Sequence, residues 1–413
     1  MQLRSSIWLC AFIAFSLSSV ARATEVVIAC GSVGVEKQLC IDGSRRWSEM
    51  TGNTVKVDEM PDSASQRLAM YKILLHEQHD TIDVYQIDIT WPVLLGQYFV
   101  DLNTYGVESA AFSNVLIQNN TVQGQLIALP WYVDAGLFYY RKDLLQKYQR
   151  AVPKTWAEML ETAQYIQAKE QQYNPAFFGL VFQGFDYEGL TCDLTEWLGS
   201  YNLSIPTKAE EQAPFRSMLV DVKSWVDKIA PKEVTSYKEE DTRMQFQQGN
   251  ALFMRNWPYA WSLMNDESSA VHGKVGVTIL PGNKAGASAA TLGGWQLAVS
   301  KYSKHPELAV SLVKYLTGLQ EQKIRFEYGY FPSRPAVYNV LQGEVSDLTI
   351  AMQEATAHFV VRPSTPVGKK YQNLSSLLYR EVNAYLSGQQ NDDTTVAKIS
   401  HGIAELGLEG QKL

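Results

Sequence analysis

Between Glu25 and Asp88 the chain alternates short apolar runs with amphipathic stretches, an order that few folds accommodate. Residues 25–29 (EVVIA) read as a strand, 35–50 as a helix closing at Gly52, and 54–57 as a second strand. Residues 63–76 read as another helix and 81–87 as a third strand ending at Asp88. Strands linked through helices run parallel, so this βαβαβ order predicts a parallel sheet. Ligands of open parallel sheets sit outside the carboxyl ends of the strands. Asp88, Trp91 and the loop from Cys30 to Glu36 occupy such ends.

Further along, LIALPWYVDAGLFYYRKDLL offers two apolar pieces around Pro130, with Tyr132 and Asp134 between them. An acid in such company needs a partner. Residues 155–170, 191–201 and 217–229 read as helices. Near Pro281 a Gly- and Ala-rich loop leads into a strand, LGGWQLAVS, and then a helix opened by Pro306. From about Ser346 onward the chain reads as largely helical. No low-complexity linker separates two halves, so two lobes would be joined by ordered segments, as in hinge-closing proteins.

Arg4 precedes an apolar run over residues 7–21 that closes on Ala21, Arg22 and Ala23, the pattern of a secretory signal peptide over residues 1–23. The run is shorter than the roughly 20 residues a membrane span requires. The expectation is cleavage after Ala23 and a mature chain in the periplasm. The formal charge is −7 and grows more negative once Arg4 and Arg22 are removed, which disfavours nucleic acid or anionic lipid as partner. Three of the four cysteines survive export, so at least one stays free. Cys30 and Cys40 are the one pair close in sequence; a disulfide and two buried thiols both fit them.

The chain holds 10 Trp and 22 Tyr, crowded into particular loops. Pyranose rings stack their C–H faces on aromatic rings while their hydroxyls bond to carboxylates and amides. FQQGNALFMRNWPYAW, residues 246–261, sets Trp257, Tyr259 and Trp261 around Pro258, as a turn presenting rings to a cleft or as a packed corner. LGGWQ adds Trp295 after two glycines that allow close backbone approach. Asp88 and Asp134 are the candidate cleft acids, accepting hydroxyls through charge-assisted bonds from opposite lobes with neither pKa raised. The same pair suits the acid and nucleophile of a glycosidase. Arg67, in SASQRL, is a candidate forked donor. The six histidines are scattered and GxxxxGK[ST] is absent, so neither metal, cofactor nor ATP hydrolysis is expected. GASAA, residues 286–290, lacks the final glycine of a serine nucleophile elbow.

YVDAGLFYYRKDLL, DYEGLTCDLTEW, FQQGNALFMRNWPYAW, GKVGV followed by LP, and ATLGGWQLAVSKYS together resemble the trehalose/maltose-binding proteins of sugar ABC importers, within extracellular solute-binding protein family 1. The resemblance runs from about residue 25 to the C-terminus. It implies an α/β, two-lobed periplasmic binding protein fold of type II with the ligand cleft between the lobes. It implies one lobe from residues 24–132 and 280–317 and another from 133–279 and 318–413, with crossings near Tyr132, residues 275–279 and Leu316. The implied ligand contacts are Glu36, Arg67, Asp88, Tyr132, Asp134, Trp257, Tyr259, Gly294, Trp295 and Arg362. The implied partners are a small sugar and the importer's permease subunits in the inner membrane, with the chain acting as a monomer without catalysis. VRPSTPVGKKYQ and GYFPSR depart from the family pattern where a second sugar subsite is expected. Trehalose, maltose, sucrose, maltodextrins and a glycosylated osmolyte therefore all remain open.

Overall fold

The alternating pattern at the start of the chain folds as its periodicity requires. The computed structural model describes residues 23–340 and 346–413, so the leader expected over residues 1–23 lies, apart from Ala23, outside them. Strand β1 (Glu25–Cys30), helix α1 (Glu36–Thr51), β2 (Thr54–Glu59), α2 (Ala64–His76) and β3 (Val84–Asp88) follow in order. β1 pairs in parallel with β2 on one side and β3 on the other. Gly52 at φ +73° ends α1, and the Ser63 hydroxyl accepts the Gln66 N–H to start α2.

A small hairpin of β4 (Thr121–Val122) and β5 (Gln125–Leu126) precedes β6 (Leu129–Ala135), which enters the first sheet, and β7 (Leu137–Arg141), which starts a second. The sequence suggests a break at Pro130, whereas the structure makes it at Gly136. Pro130 stands inside β6 opposite Gln296, beside the register shift between Trp295 and Gln296. A bulge interrupts the ladder, and that is where a sheet tolerates a residue without an N–H. At Gly136 a Cβ would overlap the Glu196 carboxylate and crowd Arg255, so a larger residue here would have to displace that buried ion pair.

The second sheet is completed by β8 (Phe178–Val181), β9 (Ala251–Asn256) and β10 (Val275–Thr278), in the order β10-β7-β9-β8. The chain then returns to the first sheet with β11 (Ala290–Val299), inserted antiparallel between β3 and β6. β12 (Phe331–Pro332) pairs with β6, and β13 (Phe359–Val360) with β11. The first sheet therefore runs β12-β6-β11-β3-β1-β2. β6 keeps its first-sheet pairing to Val133–Ala135, and β12 returns to the same sheet at Pro332. The crossings expected near Tyr132 and Leu316 thus fall later, at Gly136 and beyond Pro332. The helix Pro306–Leu316 packs on β11 and α1 and stays with the first sheet. The C-terminal helices Tyr371–Leu386 and Asp392–Glu405 pack on helices Glu188–Ser200 and Ala209–Lys228 of the second lobe. Among the described residues no helix is long and apolar enough to cross a membrane.

Gly294 sits in β11 at φ +130°, and a Cβ there would run into the Tyr132 carbonyl. Gly294→Ala should cost about 1–3 kcal/mol in urea unfolding, the scale of one strained residue. An unchanged midpoint would mean that the strand relaxes without strain.

Candidate functional site

The three central strands of the first sheet bring their side chains to one mouth. β11 sets Trp295 beside both Asp88 on β3 and Tyr132 on β6, and Gly293 beside Asp134. Tyr132 and Asp134 are two residues apart on a strand and share a face. Glu36 joins them from the first turn of α1. The second lobe contributes Trp257 just after β9, Glu239 at the start of helix Glu239–Gln247, and Tyr187 just before helix Glu188–Ser200. Together they line a narrow cavity of about 70 Å³. Nine of the ten expected residues line it: Glu36, Asp88, Tyr132, Asp134, Trp257, Tyr259, Gly294, Trp295 and Arg362.

Arg67 is the exception. Its guanidinium is buried, donates twice to the Pro61 carbonyl at 2.9 and 3.1 Å, and lies 4.3 Å from the centre of the Trp295 ring. It backs a cavity ring instead of reaching the cavity, while Asp62 and Ala64 at the start of α2 line it. Trp257 has a matching arrangement, with Arg255 at 4.0 Å. Arg255 is held in turn by Asp193 at 3.0 Å, by Glu196 at 2.5 and 2.9 Å, and by Gln183 at 3.0 Å. The Trp257 indole donates to Glu239 at 3.3 Å. Each tryptophan is thus fixed in plane by a cation on its far side. Tyr259 is buried with its hydroxyl on Glu240 at 2.8 Å, its ring packed where Gly34 at φ +60° leaves room.

The carboxylates differ sharply in their partners. Glu36 accepts from Gln86 and Tyr132, and Gln86 is oriented by the Gly31 N–H at 2.6 Å. Asp88 accepts from the Thr90 N–H and hydroxyl and pairs with Arg362 at 3.2 Å. Arg362 also pairs with Glu188 at 2.8 Å, and Glu188 accepts from Ser375 at 2.6 Å and from Tyr371. Burial alone would lower the Arg362 pKa, yet Asp88 and its neighbours raise it well above the usual value. The guanidinium thus joins Asp88 on the first sheet to a second-lobe helix while it lines the cavity.

Asp134 receives no hydrogen bond among the described residues, although it is only 7% exposed. Burial, then the charges of Glu36 and Asp88, push its pKa well above the ordinary carboxylate value against a smaller pull from Arg255. This corrects two expectations. The acids do not face each other from opposite lobes, since β3 and β6 flank β11 in one sheet. Nor do both keep an ordinary pKa. The sequence reading also missed Glu239, Tyr187, Tyr330 and Gly293, all lining the cavity. Tyr330 lies in GYFPSR, a segment already expected to border the site, and Tyr187 lies in DYEGLTCDLTEW, quoted without a role. At the rim, Lys238 bridges to Asp62 at 2.9 Å, and the Glu188 N–H donates to the Ser65 hydroxyl at 3.0 Å, tying the lobes together.

Two α/β lobes closed over a cavity of rings and carboxylates define a two-lobed solute-binding protein. Residues 43–323 match the bacterial extracellular solute-binding protein family, and the chain belongs to it. It is 41% identical over 416 residues to a probable ABC transporter-binding protein of Deinococcus radiodurans, covering 97% of this chain and 95% of that one. The maltose-bound MalE3 protein of T. maritima superposes with a TM-score of 0.85 at 32% identity, covering 93% of this chain and 100% of that one. The GacH receptor of Streptomyces glaucescens, solved unliganded and with acarbose, shares the fold at a TM-score of 0.78 and 20% identity, covering 95% of this chain and 100% of the receptor. The protein is therefore a binding protein and not an enzyme, and the glycosidase reading of Asp88 and Asp134 falls.

A carboxyl whose pKa is raised by folding binds more protons folded than unfolded, so its contribution to stability declines as pH rises above the ordinary carboxylate value. Asp134→Asn should therefore gain stability over wild type as pH rises from 4 to 8, with the gap closing towards pH 4. Thermal unfolding across that range checks it; parallel profiles would show that Asp134 is ionised in the folded cleft.

Proposed function

We propose that the protein captures an α-linked glucose disaccharide, trehalose or maltose, in the periplasm and delivers it to the permease of an ABC importer. The observation that carries this reading is the pairing of two cation-backed tryptophans with Glu36, Asp88 and Asp134 around one enclosed cavity. Ring faces suit the C–H patches of a pyranose, and carboxylates suit its hydroxyls. The 32% identical T. maritima protein was solved with maltose bound, and the D. radiodurans relative carries an ABC transporter name. In this reading Glu36, Asp88 and Asp134 accept hydroxyls, Trp257 and Trp295 stack, and Tyr132, Tyr259, Gly294 and Arg362 shape the walls. Arg67 acts through Trp295. The lobes swing about Gly136 and the segments that follow β10 and β12, and the mature chain works as a monomer once residues 1–23 are removed.

Calorimetric titration with trehalose, maltose, sucrose, maltodextrins and mannitol tests it. Saturable heat is expected with trehalose or maltose; a response to mannitol alone would replace the disaccharide with a polyol. Trp257→Ala should weaken disaccharide binding by about 1–3 kcal/mol, roughly 5- to 150-fold, through loss of one buried ring face. Trp47 is fully buried in α1 with its indole on Ser311, so Trp47→Ala should lower stability and leave affinity within about twofold. Equal affinity of the Trp257 variant and wild type would remove that ring from the site.

A further inference from the structure

Helix α1 presents Glu36 to the cavity from its first turn, where helices fray most readily. Its N-cap is Val35, which offers no side-chain hydrogen bond to the exposed N–H groups. α2, in contrast, is capped by Ser63. What α1 has instead is covalent: Cys40 is disulfide-bonded to Cys30, the last residue of β1, and both are fully buried. Cys40 follows Glu36 by four residues, so the two lie on one helix face, a turn apart. The bond therefore fastens the very face that carries Glu36 to the end of the central strand. The segment between the cysteines holds other cavity features too. A Cβ at Gly31 would overlap the Glu36 carboxylate, and the Val33 carbonyl receives the Tyr330 hydroxyl at 3.2 Å.

We propose that the Cys30–Cys40 disulfide is a positioning device for ligand binding, standing in for the missing helix cap and holding Glu36 at its place in the cavity. Glu36 needs such support because its anchors, Gln86 and Tyr132, reach it from β3 and β6 and neither holds α1 itself. A first turn free to fray would give the carboxylate several positions and raise the ordering cost of binding. The third cysteine, Cys192, is buried in a second-lobe helix and takes no part. The role in binding rests on the disaccharide reading above; the holding of the helix start does not.

The test combines Cys30→Ala/Cys40→Ala with Glu36→Gln in a double-mutant cycle. Removing the disulfide should weaken disaccharide binding roughly five- to tenfold, the scale of losing one helix cap. In the Glu36→Gln background the same removal should change affinity by less than about twofold, because the group being positioned is already altered. Equal losses in both backgrounds, or no loss, would overturn the proposal. Hydrogen exchange of the ligand-free variant gives a readout independent of the sugar: faster exchange confined to residues 31–39 is expected. Unchanged exchange there overturns the positioning role whatever the ligand proves to be, whereas failure of the wild-type protein to bind any disaccharide tells against the sugar reading alone. Wild-type protein refolded with and without reductant provides a mutation-free comparison. If neither the double variant nor the reduced protein folds, the bond serves the fold as a whole and the proposal fails.

Discussion

The backbone hydrogen bonds of β11 to β3 and β6 are what the cavity depends on. Without β11, β3 and β6 have no common neighbour, and Asp88 and Asp134 have no reason to share an edge. Its register fixes three site positions at once, with Trp295 beside Asp88 and Tyr132 and with Gly293 beside Asp134. A slip of one residue would send every side chain of the strand to the opposite face. Gly293 then makes the approach of the second lobe possible, and Gly294 the close pairing with β6. A Cβ at Gly293 would lie 3.1 Å from the Trp257 ring, and Gly294 takes a backbone conformation closed to other residues.

Around that edge the second requirement is charge balance in a dry interior. Arg255 and Arg362 are both buried, and each is shared by two carboxylates: Asp193 and Glu196 for one, Asp88 and Glu188 for the other. Removing one partner from such a cluster leaves an uncompensated charge and typically costs about 3–5 kcal/mol. The clusters also do mechanical work. Arg255 lies 4.0 Å from the centre of the Trp257 ring and so links the packing of helix Glu188–Ser200 to a cavity ring. Arg325, stacked 3.7 Å from the centre of the Trp131 ring, has its pKa drawn down to about 10 by burial, partly offset by Tyr132, Tyr330 and Glu36 nearby.

The parallel β1–β2–β3 core and the helices between its strands were legible in the sequence because apolar periodicity, Gly52 and Ser63 are local signals. Nine of the ten residues expected at the site do line the cavity, through motif resemblance more than through physics. The failures share one cause. Pro130 reads as a break in any single sequence, and only the bulge opposite it, formed by a strand more than 150 residues away, makes it tolerable. Arg67 reads as a free donor because nothing in SASQRL announces that Trp295 will lie beneath it. Glu239 hides in an acidic run that looks solvated, yet it is half-buried and accepts from Tyr187 and Trp257. The placement of Asp134 across β11 from Asp88 needs the same distant strand. The ten-residue spacing of Cys30 and Cys40 fits a disulfide and two buried thiols alike, and the packing of α1 on β1 makes the bond.

The uneven pairing of the carboxylates bears on how closure is tied to the ligand. Asp88 has a cation; Glu36 has only neutral donors, and Asp134 has no hydrogen-bond partner among the described residues. An empty closed cleft therefore buries charge at a cost, or takes up a proton at Asp134 to avoid it, and an open cleft hydrates the same groups. Closure without solute is self-limiting. A sugar placed between Glu36 and Asp134 would donate hydroxyls to both and remove that cost only in the closed form, which is the differential affinity a conformational shift requires. Moving a population from 1:99 to 99:1 takes about 5.5 kcal/mol. Hydrogen bonds to charged groups contribute about 1.5–3 kcal/mol each, so roughly two to four of them cover the whole shift. The carboxylates that make the empty cleft unfavourable are in this reading the groups that make the filled one stable, and the rim contacts Lys238–Asp62 and Glu188–Ser65 need only hold what the solute has already closed.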